Sequence, residues 1–299
     1  MHVFIEIPQR YRSIERSAYA GLGKFGSRWL GDNFSQVEYL GYSITGIMAH
    51  NVFGIPLAGS DICGFIGNTT AELCARWYVA GAFYPFSRNH NGWTYIAQEP
   101  WEFKGVRYEG STDYFDIIQM AMRTKLHLIR YYYTQITNLH LNGGTFYRPV
   151  FWDFPDDAGA YQDLPNNIML GSALKLSVLT TTLNQNTTSF FFPAGTWCDV
   201  FNKAGTSGCI AQAVAGQVML PSKAYDFHLH LLEGHIVPLQ DATTLARAHL
   251  VNTTKDLQAV AIQLHVLPSC ANSKCTAAGS LLNDDGLVLK DFDKKHNIY

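Results

Sequence analysis

The residues of this chain best suited to chemistry lie in its first third. Arg16 precedes a glycine-rich turn, "AGLGKFG", and Asp32 follows Gly31 in "SRWLGDNFS". Asp61 ends the short apolar run "GIPLAGS", Phe65 follows it, and His90 lies in "FSRNHN". Two carboxylates, an arginine and a histidine beside the rings of Trp29 and Phe65 suit a sugar. Aromatic faces stack on a pyranose ring, and charged groups hold its hydroxyls through paired hydrogen bonds. Each residue alone also has a plainer reading: a loop acid or helix cap, an arginine paired with Glu15, a structural histidine. His228 and His230 alternate as a metal pair on a strand would, but two such histidines are a weak ligand set, and no metal or cofactor is expected.

These groups act together only if strands and helices bring their loops to one place. "VFIEI" reads as a strand. Asn33 or Ser35 is a candidate cap for a helix over 36–50, with Val37, Leu40, Ile44, Ile47 and Met48 on one face. "GIPLAG" reads as a buried strand ending at Asp61, and Thr70, with Glu72 in the next turn, opens a second helix. After a loop over 87–110, Ser111 or Thr112 caps a long helix over about 113–140, and "YRPVFWDFP" is another strand. Strand–helix alternation predicts βα units around a parallel sheet, with active-site loops after the strand ends. Past residue 157, "SVLTTTLNQNTTSFFFPAGTWCDVFN" and "HLHLLEGHIVPLQ" are β-branched and aromatic runs between turns, which predicts antiparallel β-structure.

Composition narrows the class. The chain has 299 residues, 47% of them hydrophobic and 15% charged, enough to bury a sizeable core and unlike a disordered chain. A net charge of −2 offers no footprint for nucleic acid, and no apolar run is long enough to span a membrane. The six cysteines fall into three local pairs, Cys63 with Cys74, Cys198 with Cys209 and Cys270 with Cys275, although other connectivities remain open. Sequons at Asn33, Asn68, Asn186 and Asn252 fit the same oxidising compartment. The N-terminus "MHVFIEIPQRYRSIERS" is no signal peptide, so a chain missing its beginning is expected.

"RSAYAGLGKFGSRWLGDN", "GIPLAGSDICGFIGNTTAELCARWYVAGAFYPFSRNHN" and "QEPW" together resemble glycoside hydrolase family 31, in its lysosomal acid α-glucosidase and maltase–sucrase branch. The resemblance runs nearly end to end, through "FFPAGTWCDVF", "HLLEGHIVPLQ" and a weaker "LLNDDG". It implies an α/β plus β architecture: the C-terminal part of a (β/α)8 barrel over 1–157, a proximal β-domain over 158–240, and the start of a distal one over 241–299. It places the acid/base carboxylate on Asp32 and the sugar-contacting arginine on Arg16, with Trp29 in the wall. Asp61 matches a second substrate-contacting aspartate, His90 the sugar-binding histidine, and Cys63 with Cys74 a disulfide of that branch. The implied reaction is retaining hydrolysis of terminal α-glucosides on oligosaccharides by a lysosomal, vacuolar or secreted enzyme. Asp32 must hold its proton in such a reaction, which calls for the apolar surround that Trp29 and Phe34 promise.

The chain departs from the family in three places. No "WxDMNEP"-type nucleophile motif occurs in it, so the isolated chain is expected to be inactive and to fold poorly alone. Arg28 replaces a histidine common before the family's tryptophan and is expected to put a positive charge near Asp32. "LPNNIMLGS" replaces a "D-x-Q-F-[LM]-x-G"-like stretch. An inactive, sugar-binding pseudoenzyme is the alternative reading. A dedicated binding module fits less well, because it would not need Arg16, Asp32 and His90 together.

Overall fold

The computed structural model of the protein describes residues 13–180, 185–201, 208–241, 253 and 255–283. The "VFIEI" strand, the Asn252 sequon and the end of "LLNDDG" lie outside them.

The first half consists of β1 (Ile14–Glu15), β2 (Ser27–Trp29), α1 (Val37–Val52), β3 (Ala58–Gly59), β4 (Asp61–Ile62), α2 (Ala71–Gly81) and β5 (Arg88–Asn89). β1, β2 and β3 pair in parallel, as do β4 and β5. Parallel neighbours need crossovers: α1 supplies that between β2 and β3, α2 that between β4 and β5, and a loop with a short 3-10 turn that between β1 and β2. Among the described residues these strands do not close into a barrel. An antiparallel ribbon, β6 (Arg107–Tyr108) and β7 (Thr112–Asp113), leads into α3 (Tyr114–Asn142).

The helices follow their apolar faces more closely than their expected caps. α1 buries Leu40, Ile44, Ile47 and Met48, with Val37 packed beside them. Neither Asn33 nor Ser35 caps it: Gln36 holds the cap position without a side-chain bond, while Ser35 Oγ donates to the Gly67 carbonyl. Thr70 caps α2 as expected, its Oγ1 accepting from Leu73 N at 3.2 Å. α3 starts on Asp113, whose Oδ1 accepts from Phe115 N at 2.9 Å, rather than on Ser111 or Thr112. A carboxylate is the stronger acceptor at the positive end of a helix.

The second half is antiparallel. It runs β8 (Tyr147–Pro149), β9 (Asn167–Leu170), β10 (Leu174–Ser177), β11 (Thr187–Phe192), β12 (Gly195–Asp199), β13 (Cys209–Gln212), β14 (Gly216–Pro221), β15 (His228–Leu232), β16 (His235–Gln240), β17 (Ile262–Leu267), β18 (Ser269–Ala271) and β19 (Lys274–Thr276). Six strands form one sheet in the order β13-β12-β15-β10-β9-β8, and β11 pairs with β14 in a second. Met169, Phe190, Phe192, Trp197 and Leu220 bury one another where strands of these two sheets meet. The alternation in the sequence groups "YRPVFWDFP" with the parallel strands. Instead β8 pairs antiparallel with β9, Pro149 opposite Ile168, at the edge where a residue without an N–H is tolerated. α3 joins the halves: the Tyr132 hydroxyl donates to the Phe83 carbonyl and the Tyr131 hydroxyl to that of Leu170.

All three local cysteine pairs are disulfides. Cys198–Cys209 and Cys270–Cys275 each join directly opposed residues of neighbouring strands. Asn33 is not an available glycosylation acceptor, because it is buried and its side-chain amide is spent on Ser60 and Asp61. Asn68 and Asn186 are exposed.

All four residues of β10 are buried, since both faces of its sheet are covered. Leu174 and Leu176 belong to the core shared with α3, which puts Lys175 and Ser177 on the opposite face. Lys175 is 0% exposed; its Nζ donates to Asn167 Oδ1 and Ser177 Oγ and lies 4.2 Å from the centre of the Phe192 ring. Among the described residues no carboxylate pairs with it, and burial pushes its pKa down to about 7 against the pull of Asp163. Lys175→Met is expected to stabilise the fold below neutral pH, because it removes a buried charge with no ion-pair partner at the cost of one hydrogen bond to Ser177 Oγ. Asn167 Oδ1 keeps a donor in Phe191 N. The unfolded lysine stays protonated up to about pH 10.4 whereas the folded one loses its proton above about 7, so native stability rises with pH between those values. The advantage of Lys175→Met in urea unfolding is therefore largest below neutrality and shrinks towards pH 10.

Candidate active site

Parallel pairing explains how the first candidates meet. β4 and β5 set Asp61 directly beside Arg88, and partners in a ladder share a face. Arg88 Nε and Nη2 donate to Asp61 Oδ1 at 3.1 and 2.5 Å, and Trp29 Nε1 donates to Oδ2 at 2.9 Å. Both carboxylate oxygens are thus engaged, and the side chain is 0% exposed. Burial pushes the Asp61 pKa up, opposed by the hydrogen bonds and charge of Arg88, the charge of His90 and the Trp29 N–H. The Arg88 guanidinium also sits 5.0 Å from the Trp29 ring.

The turn after β4 carries the aromatic wall. Cys63 and Gly64 both take positive φ, 75° and 91°. A side chain at Gly64 would meet Ser35 backbone at 2.5 Å, so the close approach requires glycine. This turn delivers Phe65 N to Asn33 Oδ1 at 3.0 Å, while Asn33 Nδ2 donates to Ser60 Oγ and the Asp61 carbonyl. Asn33 therefore fixes the acid-bearing loop after β2 to the strand end that carries Asp61. Gln98, from "QEPW", is buried, and its amide nitrogen lies within hydrogen-bond reach of the carbonyls of Ile62, Gly64 and His90. The Phe65 ring lies 5.0 Å from that of His90 and 6.4 Å, edge-on, from Trp29.

Asp32 stands at the open side. Its carboxylate pairs with Arg16 Nη2 at 3.7 Å; the two side chains are 33% and 66% exposed. Arg16 also lies 5.5 Å from the Trp29 ring, so it does not pair with its neighbour Glu15, which accepts from Ser13. All six residues singled out in the sequence, Arg16, Trp29, Asp32, Asp61, Phe65 and His90, fall in one unbroken set of contacts. The expected apolar surround of Asp32 is not built by the described residues. Phe34 turns to Tyr39, ring centres 5.1 Å apart, and Asp32 keeps its exposure. Arg28 does not reach Asp32 either: its guanidinium is used by the Glu15 and Trp29 carbonyls and by His50 Nε2.

Sequence reasoning missed Arg88, Asn33 and Gln98 as builders of this site. Arg88 and Gln98 lie inside the stretches quoted for His90 and for "QEPW", but their roles depend on strand register. His228 and His230 sit in the β-half, where His228 Nε2 lies 2.7 Å from the Pro221 carbonyl. Among the described residues no three metal-ligating side chains converge, and no helix is long and apolar enough to cross a membrane.

Comparison with known proteins adds an independent finding. The profile of the glycosyl hydrolases family 31 TIM-barrel domain matches residues 5–135, and that of the glycosyl hydrolase family 31 C-terminal domain matches 143–237. Lysosomal acid alpha-glucosidase of Tetrahymena pyriformis is 35% identical over 93% of this chain, and lysosomal alpha-glucosidase of Bos taurus is 33% identical over 94%. The chain spans only 30% and 29% of those relatives' lengths. The crystal structure of a glucosidase II alpha subunit superimposes with a TM-score of 0.82 at 24% identity, covering 97% of this chain and 29% of the other, a likeness of fold.

Proposed function

Because the chain belongs to glycoside hydrolase family 31, we propose that its site serves retaining hydrolysis of terminal α-glucosidic bonds in maltose-like oligosaccharides. The observation that carries this reading is the single contact set joining Asp32, Arg16, Trp29, Asp61, Phe65 and His90. Asp32 is the accessible acid and takes the role of proton donor to the leaving oxygen, then of base for the incoming water. Asp61 orients Trp29 and Arg88 from beneath the wall, its carboxyl closed to solvent and so not itself in contact with the sugar. Trp29 and Phe65 form the wall, and Arg16 and His90 hold hydroxyls.

A retaining reaction needs a second carboxylate about 5 Å from the first, on the far side of the anomeric carbon. Asp61 does not qualify, since both its oxygens are held and its side chain is closed to solvent. The proposed nucleophile therefore comes from polypeptide outside these 299 residues, which hold no "WxDMNEP"-type stretch. On this reading the 299-residue chain binds the sugar without turning it over. The Cys63–Cys74 disulfide and the lysosomal relatives support a lysosomal, vacuolar or secreted setting.

Saturation-transfer NMR of this chain with methyl α-glucoside tests the proposal. Transfer to the ring protons is expected, and His90→Ala is expected to remove most of it. Transfer absent from an unaltered chain whose dispersed amide spectrum shows it folded, or indifferent to that change, would refute the site.

A further inference from the structure

Beyond the six residues above, one exposed aromatic side chain is carried by a loop fastened to the aromatic wall. Trp93 is 96% exposed, the most exposed of the large hydrophobic residues described. It lies three residues beyond His90, within about 11 Å along the backbone. Among the described residues it makes no hydrogen bond or ring contact, although the loop that carries it is firmly held. Gly92 N donates to the Phe65 carbonyl at 2.9 Å, Tyr95 N to that of Gly92, and Asn91 Nδ2 to that of Ile96. Ile96 N in turn donates to Asn68 Oδ1 at 3.0 Å. The loop is thus fastened to Phe65, which itself touches His90 and Trp29. A fixed loop presenting a fully exposed indole next to a sugar wall has the features of a stacking platform.

We propose that Trp93 binds the second and third glucose units of an α-glucan whose terminal unit sits among Arg16, Trp29, Asp32 and His90. This rests on the proposed function and deepens it. The platform selects for chain length, because only an oligosaccharide reaches both the wall and the indole. A stacked aromatic of this kind contributes about a five- to tenfold gain in affinity. The chemistry at the terminal unit does not involve it.

The test uses the 299-residue chain labelled with 5-fluorotryptophan, whose six tryptophans give separate fluorine signals. Trp93→Phe assigns one of them. Maltotetraose is expected to shift that signal and methyl α-glucoside to leave it in place. Trp93→Ala is expected to reduce the affinity ratio of maltotetraose over methyl α-glucoside to near unity. If both sugars bind, the Trp93 signal stays still and the ratio survives Trp93→Ala, the platform is wrong and the site stands. If neither sugar binds a chain whose six fluorine signals are dispersed as a folded protein's are, or His90→Ala leaves both unaffected, the site itself is wrong and the platform falls with it.

Discussion

Asp61→Asn is expected to destabilise the parallel half by about 3 kcal/mol and to abolish sugar binding. Breaking a buried ion pair costs about 3–5 kcal/mol because the surviving charge is left unpaired. The lower end applies here, since Arg88 keeps 31% of its side-chain surface and water relieves part of the loss. Geometry adds a second cost. The two carboxylate oxygens face N–H donors on opposite partners, Arg88 on one side and Trp29 on the other. Whichever way an asparagine amide turns, its NH2 meets one of those donors, and a buried N–H loses its acceptor. The Trp29 ring and the Arg88 guanidinium are thereby freed from the orientation that the wall requires. Urea unfolding followed by tryptophan fluorescence measures the first effect. A loss below about 1 kcal/mol would mean that the Asp61–Arg88–Trp29 cluster does not brace the site.

Asp32 invites the opposite treatment, because it is exposed and braces nothing. Its contact with Arg16, at 3.7 Å and with both side chains at least a third exposed, belongs to the class of ion pairs that contribute little to stability. Asp32→Asn is therefore expected to leave the fold intact. In a protein carrying both Asp32 and the nucleophile-bearing segment, the same change is expected to slow cleavage of maltose by about 10²–10⁴-fold, the range for losing a general acid–base group. The contrast between the two aspartates is the core of the account. One is closed in and shapes the wall; the other is open, and the proposal gives it the proton transfer.

The contrast was only partly legible in the sequence. The six site residues stood out by type and company, and the resemblance to family 31 tied them together. Helix caps were readable where the signal was strong, as at Thr70, and misjudged where several polar residues crowd a start, as at Ser111, Thr112 and Asp113. Asn33 looked like a cap or a sequon; its place between β2 and β4 needs the strand ends to be in register before it has meaning. Arg88 gains its role from standing opposite Asp61 in a parallel ladder, a relation across 27 residues that no local pattern carries. Arg28 looked like a neighbour of Asp32 in sequence, but β-strand alternation turns it to the Glu15 and His50 side. Nothing local in the sequence marks Lys175 as buried, because its burial comes from Phe192 and the second sheet covering that face.

The measurement that bears most directly on the central claim, that Asp32 donates the proton to the leaving oxygen, is the leaving-group dependence of Asp32→Asn. A 2,4-dinitrophenyl leaving group departs without a proton, whereas the sugar hydroxyl released from maltose does not. The ratio kcat/KM reports on the first chemical step, where that proton is needed. In a protein carrying the nucleophile, the account predicts that Asp32→Asn lowers kcat/KM for maltose by about 100-fold or more while that for 2,4-dinitrophenyl α-glucoside stays within about tenfold. An equal loss on both substrates would contradict it.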